Sequence, residues 1–257
     1  MSRRVPKKNR RVARGHGSAA GGVAAPERLP AVSTWLGEDR FFTPLGYEPG
    51  YDYPLLVWLA GGSAPDRTDG FDLGRVMKRV SLRNFVAVQP VVSPVDRSGA
   101  SCRPTGALFS GSSLEDAVWR SIDRVCERIA IHPGRIFLVG QGAGGADAFR
   151  IGCRHPRDFA GIVSLGGPFP HGEALFAQLA DVRRLPMLYC CQRSTAAAQA
   201  EHTDRTLRLF HAAGAALAMR IYPANDDLSR LALADVNRWL MDEVCGTQAV
   251  VHTLSTP

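Results

Sequence analysis

A chain of 257 residues that is 45% hydrophobic and 21% charged can bury a sizeable core and suits one large α/β domain. No stretch approaches the roughly 20 consecutive apolar residues that span a bilayer, which excludes a transmembrane helix. The formal charge of +7 sits at one end: residues 1–30 hold eight Lys and Arg against one acid, Glu27, and the rest of the chain balances at 23 basic and 23 acidic residues.

Arg3, Arg4, Lys7, Lys8, Arg10, Arg11, Arg14 and Arg28 are interleaved with Gly, Ala and Ser. Such a segment cannot bury enough apolar surface to fold, so residues 1–30 are expected to be a disordered basic arm. Weak contact with nucleic acid or an anionic surface is the partner it suggests, beside a purely solvating role. Ser2-Arg3-Arg4 begins like a twin-arginine signal, but the following Lys and Arg interrupt any apolar region. Six cysteines without a C-x-x-C, and no His at zinc-ligand spacing, imply no metal site and suit a reduced cytoplasm.

After the arm, Phe41–Leu45 reads as an antiparallel edge strand. Near-continuous apolar runs follow at Leu55–Leu59, Phe85–Val88, Ile136–Val139, Ala160–Leu165, Met187–Cys190 and Ala218–Tyr222. Runs of this kind are strands buried on both faces. Helical patterns alternate with them at 72–80, 113–129, 145–154, 172–179, 198–213 and 228–244. Pro133-Gly134 is expected to end the segment before its strand. The alternation predicts a mostly parallel central sheet flanked by helices on both faces, over residues 31–247, with a tail at 248–257.

The most informative stretch is Arg135-Ile-Phe-Leu-Val-Gly-Gln-Gly-Ala-Gly-Gly145, a strand, a tight glycine turn and a helix. Gly140, Gly142 and Gly145 satisfy G-x-G-x-x-G, the dinucleotide fingerprint. That site also needs an acid near the end of the next strand to bind ribose hydroxyls. The next strand ends Ser164-Leu-Gly-Gly-Pro168, and two apolar strands precede the match, so no cofactor is expected.

Residues 40 to about 245 resemble the esterase and phospholipase/carboxylesterase branch of the α/β-hydrolases. Tyr53-Pro-Leu-Leu-Val-Trp-Leu-Ala-Gly-Gly62 is similar to the strand and glycine loop that gives an oxyanion-hole amide. Pro133–Gly145 with His155-Pro-Arg-Asp-Phe-Ala-Gly161 is similar to the nucleophile strand, elbow and next strand. Leu185–Gln192, Phe210–Gly214, Arg220–Pro223 and Val236–Leu240 resemble the C-terminal third. The resemblance implies an α/β-hydrolase fold with its elbow at Gln141, Gly142 and Ala143.

A triad hydrolase needs an activated hydroxyl, an imidazole to take its proton and a carboxylate to orient the imidazole. In this sequence the nucleophile position is Gly142, a hydrogen atom where the family carries serine. The stretch 192–200, where the acid belongs, holds no Asp or Glu, and the histidine position falls on Asp226 or Asp227. Ser110, Ser112 and Ser113 read as helix caps, and His171 as a loop histidine. Backbone amides of Gly61 or Gly62 and of Ala143 survive any loss of side chains. The expectation is a fold that has lost serine-hydrolase activity and takes a small carboxylate, ester or phosphate ligand at those donors. An unconventional ester hydrolase acting by water attack, and a nucleic-acid-associated accessory protein attached by the arm, are the alternatives.

Overall fold

The computed structural model describes residues 34–37, 39–61, 73–92, 111–223 and 230–245. The expected arm, the tail, Gly62, Ser110, His252 and the Asp226–Asp227 pair lie outside the described residues. Among those described, eight strands build one sheet: β1 Thr34–Leu36, β2 Asp39–Phe42, β3 Tyr53–Leu59, β4 Val86–Gln89, β5 Ile131–Gln141, β6 Gly161–Leu165, β7 Met187–Gln192 and β8 Leu217–Tyr222. Their spatial order is β1-β2-β4-β3-β5-β6-β7-β8. β1, β2 and β4 pair antiparallel, and β4, β3, β5, β6, β7 and β8 pair parallel.

Side chains alternate across a strand, and both faces of β3 are therefore covered. Leu55, Val57 and Leu59 enter one core, and Leu56 and Trp58 enter the other. Helices α2 (Gly111–Arg128), α3 (Ala143–Arg154) and α6 (Ala200–Ala213) cover the first face through Val118, Ile122, Phe149 and Phe210. Helices α1 (Leu73–Val80) and α7 (Arg230–Cys245) cover the second. On α1 the buried positions 73, 76, 77 and 80 follow the spacing of a single apolar stripe. No described helix is long and apolar enough to cross a membrane.

Several expected boundaries shift for identifiable reasons. The antiparallel strand expected at 41–45 lies at 39–42 and is not the edge, because β1 pairs outside it; there buried Asp39 receives the Val91 N–H at 3.0 Å and Arg124 at 2.9 Å. Pro133-Gly134 falls inside β5 rather than before it: Tyr53 faces Ile131, yet Leu55 faces Ile136, so residues between them bulge out of the ladder. Proline is tolerated in a sheet at such a bulge. The helix expected over 172–179 is replaced by turns that drop Phe169 and Leu175 into the core, with one short turn, α4 (Leu179–Val182). The helix expected over 198–213 is α6, starting at Ala200, and a further short helix, α5 (Arg193–Ala198), precedes it, parted at Gln199.

Candidate functional site

The chain runs from β3 out to β4 on one side, then returns to lay β5 against the other side of β3. Strand order reverses there, and crevices outside the carboxyl ends of such strands are where open α/β sheets bind ligands. β3 ends at Leu59, followed by Ala60-Gly61, and β5 ends at Gln141, followed by Gly142. The stretches singled out in the sequence therefore meet at this switch point.

Gly142 has φ 53° and ψ −122°, a conformation that side-chain-bearing residues hold only at a cost of order 1–3 kcal/mol. Its N–H donates to the Leu165 carbonyl at 2.8 Å, and its carbonyl accepts from Gly145 at 2.9 Å and Ala146 at 3.3 Å. Gly142 is thus the cap of α3, which begins at Ala143, two residues earlier than the pattern predicts. A Cβ placed on Gly142 would meet only the Gly61 Cα, at 4.0 Å. The neighbours leave no such room. A Cβ on Gly61 would strike the Gln141 carbonyl, one on Gly144 the Leu59 carbonyl, and one on Gly167 the Gly142 carbonyl, all closer than 3.0 Å. The sequence folds this way because backbone packs directly on backbone around the turn while the turn's own outward position stays open.

Ala143 is exposed and is the first residue of α3. With Gly145 and Ala146 bonded to Gly142, the N–H groups of Ala143 and Gly144 are the helix's orphan donors. The Ala143 nitrogen lies 3.4 Å from where a Gly61 Cβ would stand, so the Gly61 backbone and the helix start are adjacent. Half-buried Gln141 closes β5 opposite Leu165 of β6. Gly61, Gln141, Gly142 and Ala143 are therefore brought together. The acid position is occupied by α5, whose sequence Arg-Ser-Thr-Ala-Ala-Ala carries no carboxylate.

His171 is not alone in its loop. Its ring lies 4.4 Å from that of His202 on α6, and its Nε2 is 2.9 Å from the Thr206 hydroxyl. That hydroxyl donates to the His202 carbonyl at 2.8 Å, so it accepts from His171 Nε2–H. His202 Nε2–H in turn donates to the Phe169 carbonyl at 2.9 Å. Burial, then His202 and then Arg205, lower the pKa of His171. The two histidines clamp the loop after β6, whose Gly167 packs on the elbow, to α6. Sequence reading missed His202. The available signal was its spacing of four from Thr206, which places both on one helix face.

Two further groups have no place in a triad. Cys190 Sγ is 3.8 Å from the Tyr222 hydroxyl, which donates to Asp235 at 3.0 Å. Burial pushes the Cys190 thiol up to about 12, and Cys190 and Cys191 are buried and not joined in a disulfide. Across α3, Asp147, Arg150, Glu173, Arg154 and Glu115 form a ladder of ion pairs, with Arg150–Glu173 at 2.7 Å, and His155 Nε2 lies 2.5 Å from Glu115 at its end. Among the described residues no group of three or more His, Cys, Asp or Glu could hold a metal ion.

No family model matches the sequence, and no curated protein matches it. Solved structures do. The chain is similar to a thermostable esterase with a TM-score of 0.56 at 16% identity, over 79% of this chain and 58% of that one. It is similar to S-formylglutathione hydrolase from Staphylococcus aureus with a TM-score of 0.56 at 14% identity, over 75% and 82% of the two chains. A fungal esterase from Rhizomucor miehei gives 0.57 at 15% identity, over 81% and 80%. The chain spans little more than half the length of the first of these. With its strand order, its elbow and these likenesses together, the chain has the α/β-hydrolase fold.

Proposed function

We propose that this esterase-like fold has lost acyl transfer and binds a small carboxylate, ester or phosphate oxygen at the backbone amides of Ala143 and Gly61, in the crevice above the elbow. The observation that carries the reading is Gly142 itself: the strained turn that presents a nucleophile is kept, at φ 53° and ψ −122°, and it presents no nucleophile. Helix-start N–H groups beside a positive dipole end suit an oxyanion or anion, and they do not depend on the missing side chains. An oxyanion hole and binding alone leave a serine protease on the order of 10³–10⁴ over water, so binding can outlive turnover.

The test is hydrolysis of short- and medium-chain p-nitrophenyl esters by the purified protein, with Gly142→Val as control, because its branched side chain enters the space open above the turn. Background rates in both proteins support the reading. A wild-type rate well above buffer that Gly142→Val abolishes overturns it in favour of water attack in this crevice.

A further inference from the structure

The loop after β6 and helix α6 border an open hollow of about 420 Å³, with Pro170, His171, Glu173, Arg205, Arg208 and Leu209 among its lining residues. We propose that this hollow is a second ligand site, distinct from the elbow, for a small carboxylate with an apolar or aromatic body. The inference does not rest on the reading of the elbow.

Its chemistry comes from the spacing of one helix. Arg205, Arg208 and Leu209 lie three and four residues apart, so they share a face of α6, and the loop contributes half-buried Pro170 and the edge of the core residue Phe169. The helix wall therefore carries both guanidinium groups and Leu209, and the loop wall Pro170. The acids at hand are already committed: Glu173 is held by Arg150 at 2.7 Å and Arg154 at 3.5 Å, and Asp204 pairs with Arg208. Arg205 has no acidic partner among the described residues, and its charge bears directly on His171. Arg208 keeps further N–H donors beyond those Asp204 takes, since a guanidinium has five.

His171 commits its Nε2–H to Thr206, which leaves the two guanidinium groups as the donors for an incoming anion. A neutral guest of the same shape would gain no charge-assisted hydrogen bond from Arg205 or Arg208. Inorganic phosphate would satisfy the arginines but leave Pro170 and Leu209 uncovered. A ring or branched chain ending in a carboxylate meets both walls, and the volume lies within the range of small-molecule sites.

The test is an NMR titration of the full chain, following the His171 ring and the amides of Thr206 and Leu209, with sodium benzoate as the probe and benzyl alcohol and inorganic phosphate beside it. Saturable shifts with benzoate, at least about tenfold weaker with benzyl alcohol and phosphate, are expected. Arg205→Gln with Arg208→Gln should weaken benzoate about tenfold or more while leaving the circular-dichroism spectrum and the unfolding midpoint unchanged, both side chains being exposed. The proposal is overturned if benzoate produces no saturable shift, if the double variant binds it as well as the parent, or if either comparison ligand binds equally. Shifts confined to the Ala143 and Gly144 amides would place the anion at the elbow instead, and would also overturn it.

Discussion

Position 142 combines an open outward space with a backbone only glycine adopts freely, and these two properties pull a substitution in opposite directions. Gly142→Ser fits without collision but takes on φ 53°, so a loss of about 1–3 kcal/mol is expected. In a domain of this size that lowers the thermal midpoint by about 2–4 °C per kcal/mol, which calorimetry would read. The same variant should hydrolyse p-nitrophenyl acetate only at background. Nothing in α5 orients an imidazole, so robust turnover would refute the loss of acyl transfer. Gly167→Ala is the opposite case: ordinary in chemistry, but its Cβ meets the Gly142 carbonyl closer than 3.0 Å, and about 1–3 kcal/mol should be lost in a urea titration. The glycine pattern was legible in the sequence because each glycine answers a local need. The His171–His202 pair was not, since it joins residues thirty-one apart through the path of a loop that no periodicity reports.

At the scale of elements, the clamp between the loop after β6 and α6 carries a pH dependence of definite sign. Burial, His202 and Arg205 lower the His171 pKa below its ordinary 6.5, against a smaller opposing hydrogen bond from the His202 backbone. The unfolded chain therefore takes up the proton more readily than the folded one. The clamp's contribution is fully present above about pH 6.5 and is lost as pH falls through the lowered value. Of the groups facing the ring, His202, Thr206, Arg205 and Arg208 come from α6 and Glu173 from the loop. The difference in urea midpoint between pH 7.5 and pH 5 should shrink in His171→Gln, and an equal difference in both proteins would remove His171 as its source. The strands were readable because burial on both faces leaves unbroken apolar runs. The short helix α4 and the turns before it were not, because Phe169 and Leu175 are drawn into the core by packing that overrides the helical spacing of 172–179.

The whole molecule joins a sheet with two cores to a net charge that the sequence concentrates in residues 1–30. Trp239 on α7 lies against the β6 backbone, where a Cβ on Gly161 would come within 2.8 Å of its ring, and it is 9% exposed in the second core. Trp239→Ala should therefore cost about 3–5 kcal/mol in chemical denaturation, the largest loss among the variants named here. Charge behaves independently of that core. Residues 1–30 carry a net +7 of the sequence total of +7, so a chain lacking them should elute from a heparin column at much lower salt. Its unfolding midpoint should stay that of the full chain. Unchanged retention would show that the basic segment is not the anion-binding part. Fold and switch point could be read from sequence because alternation and glycine turns are local. The second hollow could not, since its two walls meet only after the chain has passed through β7 and α5.

The open space above Gly142 also makes the turn a mounting point. The backbone contacts that hold it come from Gly61, Gly145, Ala146, Leu165 and Gly167, so a new side chain there would not displace its own supports. The four described thiols are buried or half-buried, with Cys153 and Cys190 pushed up to about 12, and are poor nucleophiles at neutral pH. With Cys102, Cys126 and Cys245 replaced by serine, a Gly142→Cys chain would offer a single addressable thiol at the crevice floor. A fluorophore or spin label attached there would report directly on whatever enters the crevice.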